Sequence, residues 1–371
     1  MKKLAALLLS GVMVTGLLAG CGSNSTPTTQ ESEAQESASE TDAKEQETEP
    51  EAEPAEEAET EAEAEPEVER VSLNIAYMPN YAALWAVLTG IDQGYFDEEG
   101  LDLTLYEFAD GPTEIAAMES GSIDLAYIGN GAHKLCVTGD ASIFLPQQVN
   151  TTDSVVVNEA SGIKTLEDLK GKKVAYASGT SSETSLKSAL DKAGLSFDDI
   201  EAYETEASNM VASMASGSVD ACATWSPYTL EILNEVEGTK KLEFENGTVS
   251  LASWVALPSY VEKNRDILVR FSRALLKAMD YGSQKSNYEY VAQLVADQTA
   301  TDYEINFYQT EDSLWFNQEL LRSYLEDGTL KGYFETQQQN FIDTEVLTAD
   351  DATDVENYVL FDVIEEALQG N

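Results

Sequence analysis

After residue 70 the chain alternates between short apolar runs and longer mixed stretches. The short runs are typical of buried strands and the stretches of about ten residues are typical of helices. The predicted strands and helices of the first such series are, in order, 72–78, 81–92, 101–108, 112–119 and 123–128. Strands that alternate with helices in this way predict βαβ units around a parallel sheet.

A second series repeats the same order, with predicted elements at 172–177, 182–193, 199–204, 208–216 and 219–224. The two series share a phrase, because residues 118–126 read MESGSIDLA and residues 214–222 read MASGSVDAC. In each phrase the glycine supplies the positive φ at which a helix ends, and the aspartate opens the third strand. Since Asp124 and Asp220 lie at the amino ends of those strands, we interpret them as structural rather than catalytic residues.

The loops after the predicted strands are the candidate ligand-binding segments. In an open α/β sheet the ligand binds beyond the carboxyl ends of the strands. The loops found there are rich in Gly, Ser, Asn and aromatic residues, and they span 78–81, 109–112, 128–131, 177–181, 205–208 and 224–228. Two similar α/β lobes whose loops face each other predict a cleft for a small molecule.

Two of these loops open helices in a way that suits an anion. Pro112 can occupy the first helical position with Gly111 as the cap, and residues 178–182 form a hydroxyl-rich helix start. The free N–H groups and the positive dipole end of such a start favour negative charge. Ordinary helix capping is the alternative interpretation of each loop.

The first 21 residues have the pattern of an export signal. Lys2 and Lys3 precede an apolar stretch at 4–18, and the segment ends in Leu-Ala-Gly-Cys at 18–21. That ending resembles a bacterial lipobox, which implies cleavage before Cys21 and a stable anchor of two acyl chains on its sulfur. An ordinary secretory signal with a chance cysteine is the alternative.

Residues 22–70 contain no Ile, Leu, Phe, Trp or Tyr, and they carry 18 acidic against 2 basic side chains. Such a composition predicts a disordered, self-repelling tether, with a docking tail for a basic partner as the alternative. The whole chain has a formal net charge of −47. Nucleic acid is therefore excluded as a partner, because nothing here neutralises a row of phosphates.

The sequence offers little for catalysis or metal binding. Its single histidine is His133, and Cys136 and Cys222 sit among apolar residues without metal-ligand spacing. No Ser-His-Asp arrangement and no phosphate-binding loop is apparent, so we expect neither an enzyme nor a bound cofactor or metal. A structural role and a ligand contact are both open for His133.

Four pieces of sequence carry a family resemblance. They are Phe-Ala-Asp-Gly-Pro at 108–112, the stretch 118–129 with its Gly-x-Ile-Asp core, Asp-Leu-Lys-Gly-Lys-Lys-Val at 168–174, and 217–227 ending in Trp-Ser-Pro. In this order, behind a lipobox, residues 71 to about 280 resemble the substrate-binding proteins of ABC importers for nitrate, sulfonate and taurine. That group shares its domain with binders of thiamine pyrimidine precursors.

The resemblance implies the type II periplasmic-binding-protein fold, in which two α/β lobes close on one ligand. The implied organisation is a signal peptide at 1–21, a tether at 22–70, the first part of lobe 1 at 71–155, lobe 2 at 156–257, and a helical return onto lobe 1 at 258–371. The chain would cross between lobes near 150–158 and 255–258. The expected molecule is a lipid-anchored monomer on the outer face of the cell membrane, whose partners are a small-molecule ligand, an ABC permease and its ATPase.

Carried over residue by residue, the resemblance implies ligand contacts in the predicted loops. The implied positions are Asn80, Tyr81, Gly111, Pro112, Gly129, Asn130, Ser178, Gly179, Thr180, Ser181 and Trp225. Tyr228 offers a further flat face beside Trp225. Burial in the core is the alternative for Trp225.

The ligand class stays open at this point. Residues 71–371 contain four arginines, three of them at 265–273 on the predicted return helix, so no guanidinium clamp for a sulfonate is apparent. The acidic residues near the loops favour an amine or a neutral heterocycle, and they are Glu107, Asp110, Glu114 and Glu183. Sulfonate, taurine and pyrimidine are the alternatives, and taurine carries both signs of charge. A sensory role instead of transport is also open.

Overall fold

Two mixed sheets, each flanked by helices, form the part of the chain that the structure describes. This computed structural model describes residues 69–150, 153–244 and 249–370, all within the unit Ala64–Asn371. The predicted signal peptide, Cys21 and the predicted tether up to residue 68 lie outside the described residues. Within the described ranges, no helix has both the length and the apolar character needed to cross a membrane.

The two predicted series correspond to two lobes. The larger lobe begins with β1 (Val71–Tyr77), α1 (Tyr81–Asp92), α2 (Tyr95–Glu98), β2 (Leu101–Glu107), α3 (Gly111–Glu119), β3 (Leu125–Ile128), α4 (His133–Val137) and β4 (Ser142–Asn150). The smaller lobe contains β5 (Ser154–Asn158), β6 (Lys173–Tyr176), α5 (Ser181–Lys192), β7 (Glu201–Glu204), α6 (Met210–Ala215), β8 (Ala221–Thr224), α7 (Tyr228–Glu235) and β9 (Thr239–Lys241). The return segment contains β10 (Ser250–Ala256), α8 (Pro258–Gly282), α9 (Tyr288–Thr299), α10 (Tyr303–Gln309), β11 (Ser313–Trp315), α11 (Gln318–Glu326), α12 (Thr329–Asp343) and α13 (Phe361–Gln369).

Each lobe is built on one sheet with a parallel unit. The larger lobe has the strand order β11-β4-β10-β3-β1-β2, and the smaller lobe has β7-β6-β8-β5-β9. The strands of the repeated series pair in parallel, as β2-β1-β3 and β7-β6-β8, and the other strands pair antiparallel beside them. The prediction of an α/β fold with a parallel unit in each of two lobes is confirmed.

The chain passes between the lobes twice. The first crossing lies between β4 and β5, and because β5 pairs with β8 and β9, Ser154 and Val155 belong to the smaller lobe rather than to the implied first part of lobe 1. The second lies between β9 and β10, because β10 pairs with β3 and β4 of the larger sheet. Residues 250–256 therefore belong to the larger lobe, which differs from the implied lobe 2 boundary at 257 and the implied return at 255–258. Every residue of β10 is buried, so no alternation in its sequence indicates which sheet it joins.

The repeated phrase forms the same hydrogen-bonded corner in both lobes. Asp124 Oδ2 accepts from the backbone N–H of Asn74 at 2.8 Å, and Asp220 Oδ2 accepts from that of Lys173 at 2.9 Å. The backbone N–H of each aspartate donates back to the carbonyl oxygen of the same partner. The preceding glycines end their helices at φ values of 79° and 68°, as predicted. Each aspartate thus ties the start of the third strand to the start of the first.

The return segment completes the core of the larger lobe. Helix α8 packs against α1, and the ring of Phe271 lies 5.1 Å from Phe96, 5.8 Å from Phe144 and 5.1 Å from Trp254, measured between centroids. The segment is not purely helical, since β11 pairs with β4 at the sheet edge. Phe316, just after β11, is fully buried. The residues that follow the second crossing are therefore part of the larger lobe rather than an appendage.

We expect the two corner aspartates to contribute similarly to stability. Asp124→Ala and Asp220→Ala each remove an ionised acceptor from a strand N–H, so each should lower the free energy of unfolding by about 1–3 kcal/mol. Urea unfolding followed by circular dichroism measures this change. Asp198→Ala is the control, because its exposed carboxylate lies in the smaller lobe away from the corner. Corner variants as stable as this control would contradict the assigned role.

Candidate functional site

A cleft lies where the carboxyl ends of the two parallel units face each other. Its volume, including the solvent-open mouth, is about 660 Å³, which suits a small organic molecule. The residues that line it are mostly small, amide-bearing or hydroxyl-bearing, with three aromatic rings: Met78, Asn80, Ala82, Gly111, Pro112, Tyr127, Gly129, Asn130, Ala132, Gln148, Asn150, Gly179, Thr180, Ser181, Trp225, Ser226, Ser250, Leu251, Ala252, Gln309, Asp312, Ser313 and Trp315.

Most of the positions predicted from sequence line this cleft. Those that do are Asn80, Gly111, Pro112, Gly129, Asn130, Gly179, Thr180, Ser181 and Trp225. They come from both lobes and lie in loops that follow strands, which is where an open α/β sheet binds its ligand. These residues remain proposed ligand contacts.

Three predicted positions lie elsewhere. Tyr81 is 1% exposed, because the first residue of α1 points inward and packs edge-on against Trp315 with ring centroids 5.4 Å apart. Ser178 is exposed and is not among the lining residues. Tyr228 lies behind Trp225, with ring centroids 5.8 Å apart in an edge-to-face contact. Tyr81 and Tyr228 therefore support lining aromatic rings instead of lining the cleft.

The helix starts at the cleft are capped by the chain's own side chains. Asn80 Oδ1 accepts from the N–H of Ala83 at 2.9 Å, and Asp110 Oδ1 accepts from that of Thr113 at 2.9 Å. The cap of α3 is thus Asp110, and Gly111 is already helical, one residue away from the predicted arrangement. An aspartate oxygen reaches the first-turn N–H, which the hydrogen of a glycine cannot do.

The start of α5 is filled in the same way. The Thr180 hydroxyl accepts from the N–H of Ser182 at 3.2 Å, and the N–H of Gly179 donates to Glu183 Oε2 at 2.7 Å. Lys134 approaches the same carboxylate at 3.9 Å. The hydroxyl-rich loop therefore has the predicted helix start, but a carboxylate of the chain already occupies its loop N–H.

His133 belongs to a buried polar network beneath the cleft. Its Nδ1 lies 2.9 Å from Gln337 Oε1, and Gln337 Nε2 donates to Asn130 Oδ1. Because the amide nitrogen of Gln337 is used on Asn130, its oxygen accepts and His133 Nδ1 carries the proton. Burial lowers the pKa of His133 to about 4, and the hydrogen bond to Gln337 opposes this. The histidine supports Asn130 and does not itself line the cleft.

A half-buried and a fully buried carboxyl group lie near the cleft. Asp153, at the first crossing, accepts from the hydroxyls of Ser250 at 2.7 Å and Ser181 at 3.1 Å, which come from the larger and the smaller lobe. Burial raises the pKa of Asp153, and the two hydroxyls oppose the rise. Glu114 on α3 is fully buried, and burial followed by the nearby Asp110 charge raises its pKa well above the usual value.

The lobes touch beside the cleft through a glycine. A Cβ atom built on Gly131 would lie 2.1 Å from the backbone carbonyl carbon of Thr180 in the other lobe. Real Cβ atoms do not approach other atoms so closely, so only glycine permits this approach. A Cβ atom on Gly129, two residues earlier, would meet nothing within 4 Å.

Sequence reasoning missed the part of the cleft that comes from the return segment. The missed residues from that segment are Ser250, Leu251, Ala252, Gln309, Asp312, Ser313 and Trp315. Trp315 packs in the core of the larger lobe and also lines the cleft, and its Nε1 donates to the Thr310 carbonyl at 2.7 Å. These residues reach the cleft because β10 and β11 flank β4, a pairing for which the repeated pattern holds no signal.

Metal ligands and exposed thiols are not part of the described site. No group of three or more His, Cys, Asp or Glu side chains in the described ranges is arranged to hold a metal ion. Cys136 and Cys222 are free and buried, and burial raises the pKa of both thiols, that of Cys222 to about 12.

Fold and cleft together define a class of two-lobed solute-binding proteins, and comparison with known proteins places the chain within it. The family model described as NMT1/THI5 like matches residues 82–286, more than half of the chain, and the chain belongs to this family. The family resemblance inferred from the sequence is therefore confirmed.

Relatives and solved structures agree with this placement. A binding protein of Brucella abortus (strain 2308) is 27% identical over 278 residues, covering 74% of this chain and 86% of the relative. A protein of Bacillus subtilis (strain 168), described as aliphatic sulfonates-binding, is 28% identical over 282 residues, covering 74% and 81%. The alkanesulfonate-binding protein SsuA from Xanthomonas axonopodis pv. citri, solved with MOPS, has a TM-score of 0.60 at 20% identity, covering 78% of this chain and 98% of that one.

An enzyme shares the fold as well. The desulfurization enzyme DSZB has a TM-score of 0.56 at 15% identity, covering 81% of this chain and 99% of that one. At such identities a structural likeness shows the fold alone, and the predicted type II periplasmic-binding-protein fold is confirmed by it. The activity depends on the residues that line the cleft and not on the fold.

The buried histidine predicts a pH dependence of stability. The folded-state pKa of about 4 lies below the ordinary value of 6.5, so between these values the unfolded chain binds a proton that the folded chain does not. Stability supplied by neutral His133 is therefore present above pH 6.5 and is lost as the pH falls towards 4. Relative to His133→Gln, the native chain should lose on the order of 2–3 kcal/mol of unfolding free energy between pH 7 and 4.5.

Denaturant unfolding of both chains across this pH range measures the difference. Titration of all other groups is common to the two chains and cancels in the comparison. A difference in unfolding free energy that does not change with pH would show that His133 titrates normally.

Proposed function

We propose that this protein is the extracytoplasmic solute-binding lipoprotein of an ABC importer, which captures a small organic solute by closure of its lobes and delivers it to the membrane permease. The observation that carries the proposal is the cleft between the lobes. Amide and hydroxyl groups such as those of Asn130 and Ser181 lie there beside the flat rings of Trp225 and Trp315. A few placed polar groups among apolar surfaces are the usual composition of a small-molecule site.

Closure is supported by the way the lobes are joined. Two crossings between β4 and β5 and between β9 and β10 connect lobes that each have their own core. At the first crossing, Asp153 accepts hydrogen bonds from hydroxyl groups of both lobes. Such a connection suits a hinge, at which a few residues absorb the change in backbone angles.

The proposed anchor rests on the sequence, and the proposed partners rest on the family. A lipidated Cys21 would hold the chain at the outer face of the cell membrane, and the acidic segment 22–70 would let the lobes reach a permease. The expected partners are that permease and its ATPase, and the expected state is a monomer. Reporting the ligand to a sensory partner would use the same cleft.

We propose no catalytic activity. The named relatives are binding proteins, and the histidine of the chain is held by Gln337 below the cleft rather than beside a nucleophile. The relatives point to sulfonate, taurine or nitrate as the first ligands to test. The paired tryptophans favour a thiamine pyrimidine precursor or a similar heterocycle as the second candidate.

A thermal-shift screen of the full chain tests the proposed function. The panel contains taurine, alkanesulfonates, nitrate, thiamine pyrimidine precursors and amino acids, after refolding to remove carried-over ligand. A solute that binds only the folded state should raise the melting temperature with increasing concentration. Trp225→Ala should weaken binding of that solute by about 1–3 kcal/mol, the scale of losing one buried aromatic contact.

Ser178→Ala is the control, because Ser178 lies on the same side of the cleft but does not line it. Unchanged affinity of Trp225→Ala, together with a lower melting temperature, would assign this tryptophan to the core alone. No shift with any solute would count against a solute receptor.

The contact of Gly131 with Thr180 provides a test of closure. Gly131→Ala should oppose this contact, so the bound state should have more widely separated lobes and at least about tenfold weaker affinity. Small-angle X-ray scattering with the solute identified above measures lobe separation. Gly332→Ala adds the same methyl group where nothing lies within 4 Å, away from the lining residues, and should leave the separation unchanged. Equal scattering from all three chains would refute closure at this contact.

A further inference from the structure

The charge of the cleft lining is negative. Among the described residues that line the cleft there is no lysine or arginine, and the one carboxylate is that of Asp312. Two lysines lie near the cleft without lining it: Lys241 acts electrostatically on Asp312, and Lys134 is 3.9 Å from the carboxylate of Glu183. A sulfonate or carboxylate ligand would therefore meet no cationic side chain in the lining, where such anions are usually clamped.

Side chains of the protein use part of the backbone donors at the helix starts. One first-turn N–H group of each of α1, α3 and α5 donates to Asn80, Asp110 and Thr180, and the loop N–H of Gly179 donates to Glu183. Two of these four acceptors are carboxylates, whose charges also offset the positive ends of the helix dipoles. The usual alternative means of holding an anion, a helix start with open N–H groups, is thus weakened by the chain's own acceptors.

Two carboxyl groups lie close together on the hinge side of the cleft. Asp312 lines the cleft just before β11, and Asp153 lies behind Ser181 and Ser250, which do line it. Burial raises the pKa of Asp312, against the opposing effects of Ser226 and Lys241, and the charge of Asp312 adds to the raised pKa of Asp153. A ligand cation placed here would lower the cost of keeping these groups ionised.

The walls of the cleft suit a cation with an apolar body. Trp225 comes from the smaller lobe and Trp315 from the larger one, and both rings line the cleft beside Asp312. Indole faces attract ammonium groups and also bury apolar surface. Leu314, two residues after Asp312, pairs with Val149 in the sheet. The sheet therefore fixes the position of Asp312.

Resting on the solute-receptor function proposed above, we propose that the cleft selects solutes that carry a protonated amine next to an apolar or aromatic body, and that Asp312 is the specificity-determining residue that meets the amine. Among the sulfonates, this admits taurine, which carries an ammonium group, and disfavours its hydroxyl analogue.

Two series of probes with a constant carbon skeleton test this selectivity. Taurine is compared with isethionate, and 2-phenylethylamine is compared with 2-phenylethanol and 2-phenylethanesulfonate, by calorimetric titration into the full chain. The amine should bind at least about tenfold more tightly than its hydroxyl analogue in one series or both, the scale of a hydrogen bond to a charged group. Asp312→Asn should reduce this preference to less than about threefold.

Glu311→Gln is the matched control, because it removes the same charge from the neighbouring, exposed residue that does not line the cleft, and it should keep the preference. The ratio of amine to hydroxyl binding is taken within each variant, so a general loss of stability cancels. An Asp312→Asn chain that keeps the native preference overturns the proposal, as does a hydroxyl or sulfonate probe that binds as tightly as the amine.

The outcomes also separate this proposal from the function on which it rests. Binding of sulfonates, nitrate or heterocycles without an amine preference supports a solute receptor and overturns the role of Asp312. Absence of binding by every probe of both panels overturns both.

Discussion

The register between the first and third strands of each lobe is the constraint on which the cleft depends. One aspartate in each lobe fixes this register at the amino ends of the strands through a reciprocal pair of hydrogen bonds. The carboxyl ends of the same strands then present their loops together. Asn80 and Asn130 follow β1 and β3, and Thr180 and Trp225 follow β6 and β8. A slip of one residue would exchange the two faces of each strand and move these loops out of line.

The electrostatics of the cleft depend on side chains whose identity the fold does not determine. A two-lobed α/β frame offers helix starts at its cleft, and in this chain those starts are capped by side chains, one of them the carboxylate of Asp110, while Glu183 accepts from the loop N–H before α5. Asp312 is the charged residue among the described lining residues, and the low dielectric of a half-buried cleft strengthens its electrostatic interactions. Likeness of fold to sulfonate-binding and nitrate-binding proteins therefore does not carry the polarity of the ligand with it. The side chains of the lining decide it.

The repeated half of the fold could be predicted from sequence, because the same pattern of strands and helices occurs twice and the helices before the third strands end at glycines with positive φ. The loops of the cleft followed from the strand ends alone. What could not be predicted were contacts set by pairing across long sequence distances. Strand β10 is buried on both faces and carries no periodic signal, and Asp312 and Trp315 reach the cleft only because β11 pairs with β4. The side-chain directions of Tyr81 and Tyr228 could not be predicted either, because a position at a loop does not show whether a ring points into the cleft or into the core.

The two lobes share a corner but differ where they meet the ligand site, and this difference gives the cleft its asymmetry. After its third strand the larger lobe presents Gly129 and Asn130, whereas the smaller lobe presents Trp225 and Ser226 at the same point. Asn130 is held from below by the Gln337 and His133 network, and Trp225 is held by Tyr228. An amide wall with buried hydrogen bonds is rigid in direction, while an aromatic wall accepts any flat or apolar group. The repeated order of strands and helices thus supplies the geometry of two facing lobes, and the different residues after the third strands give the cleft one amide wall and one aromatic wall.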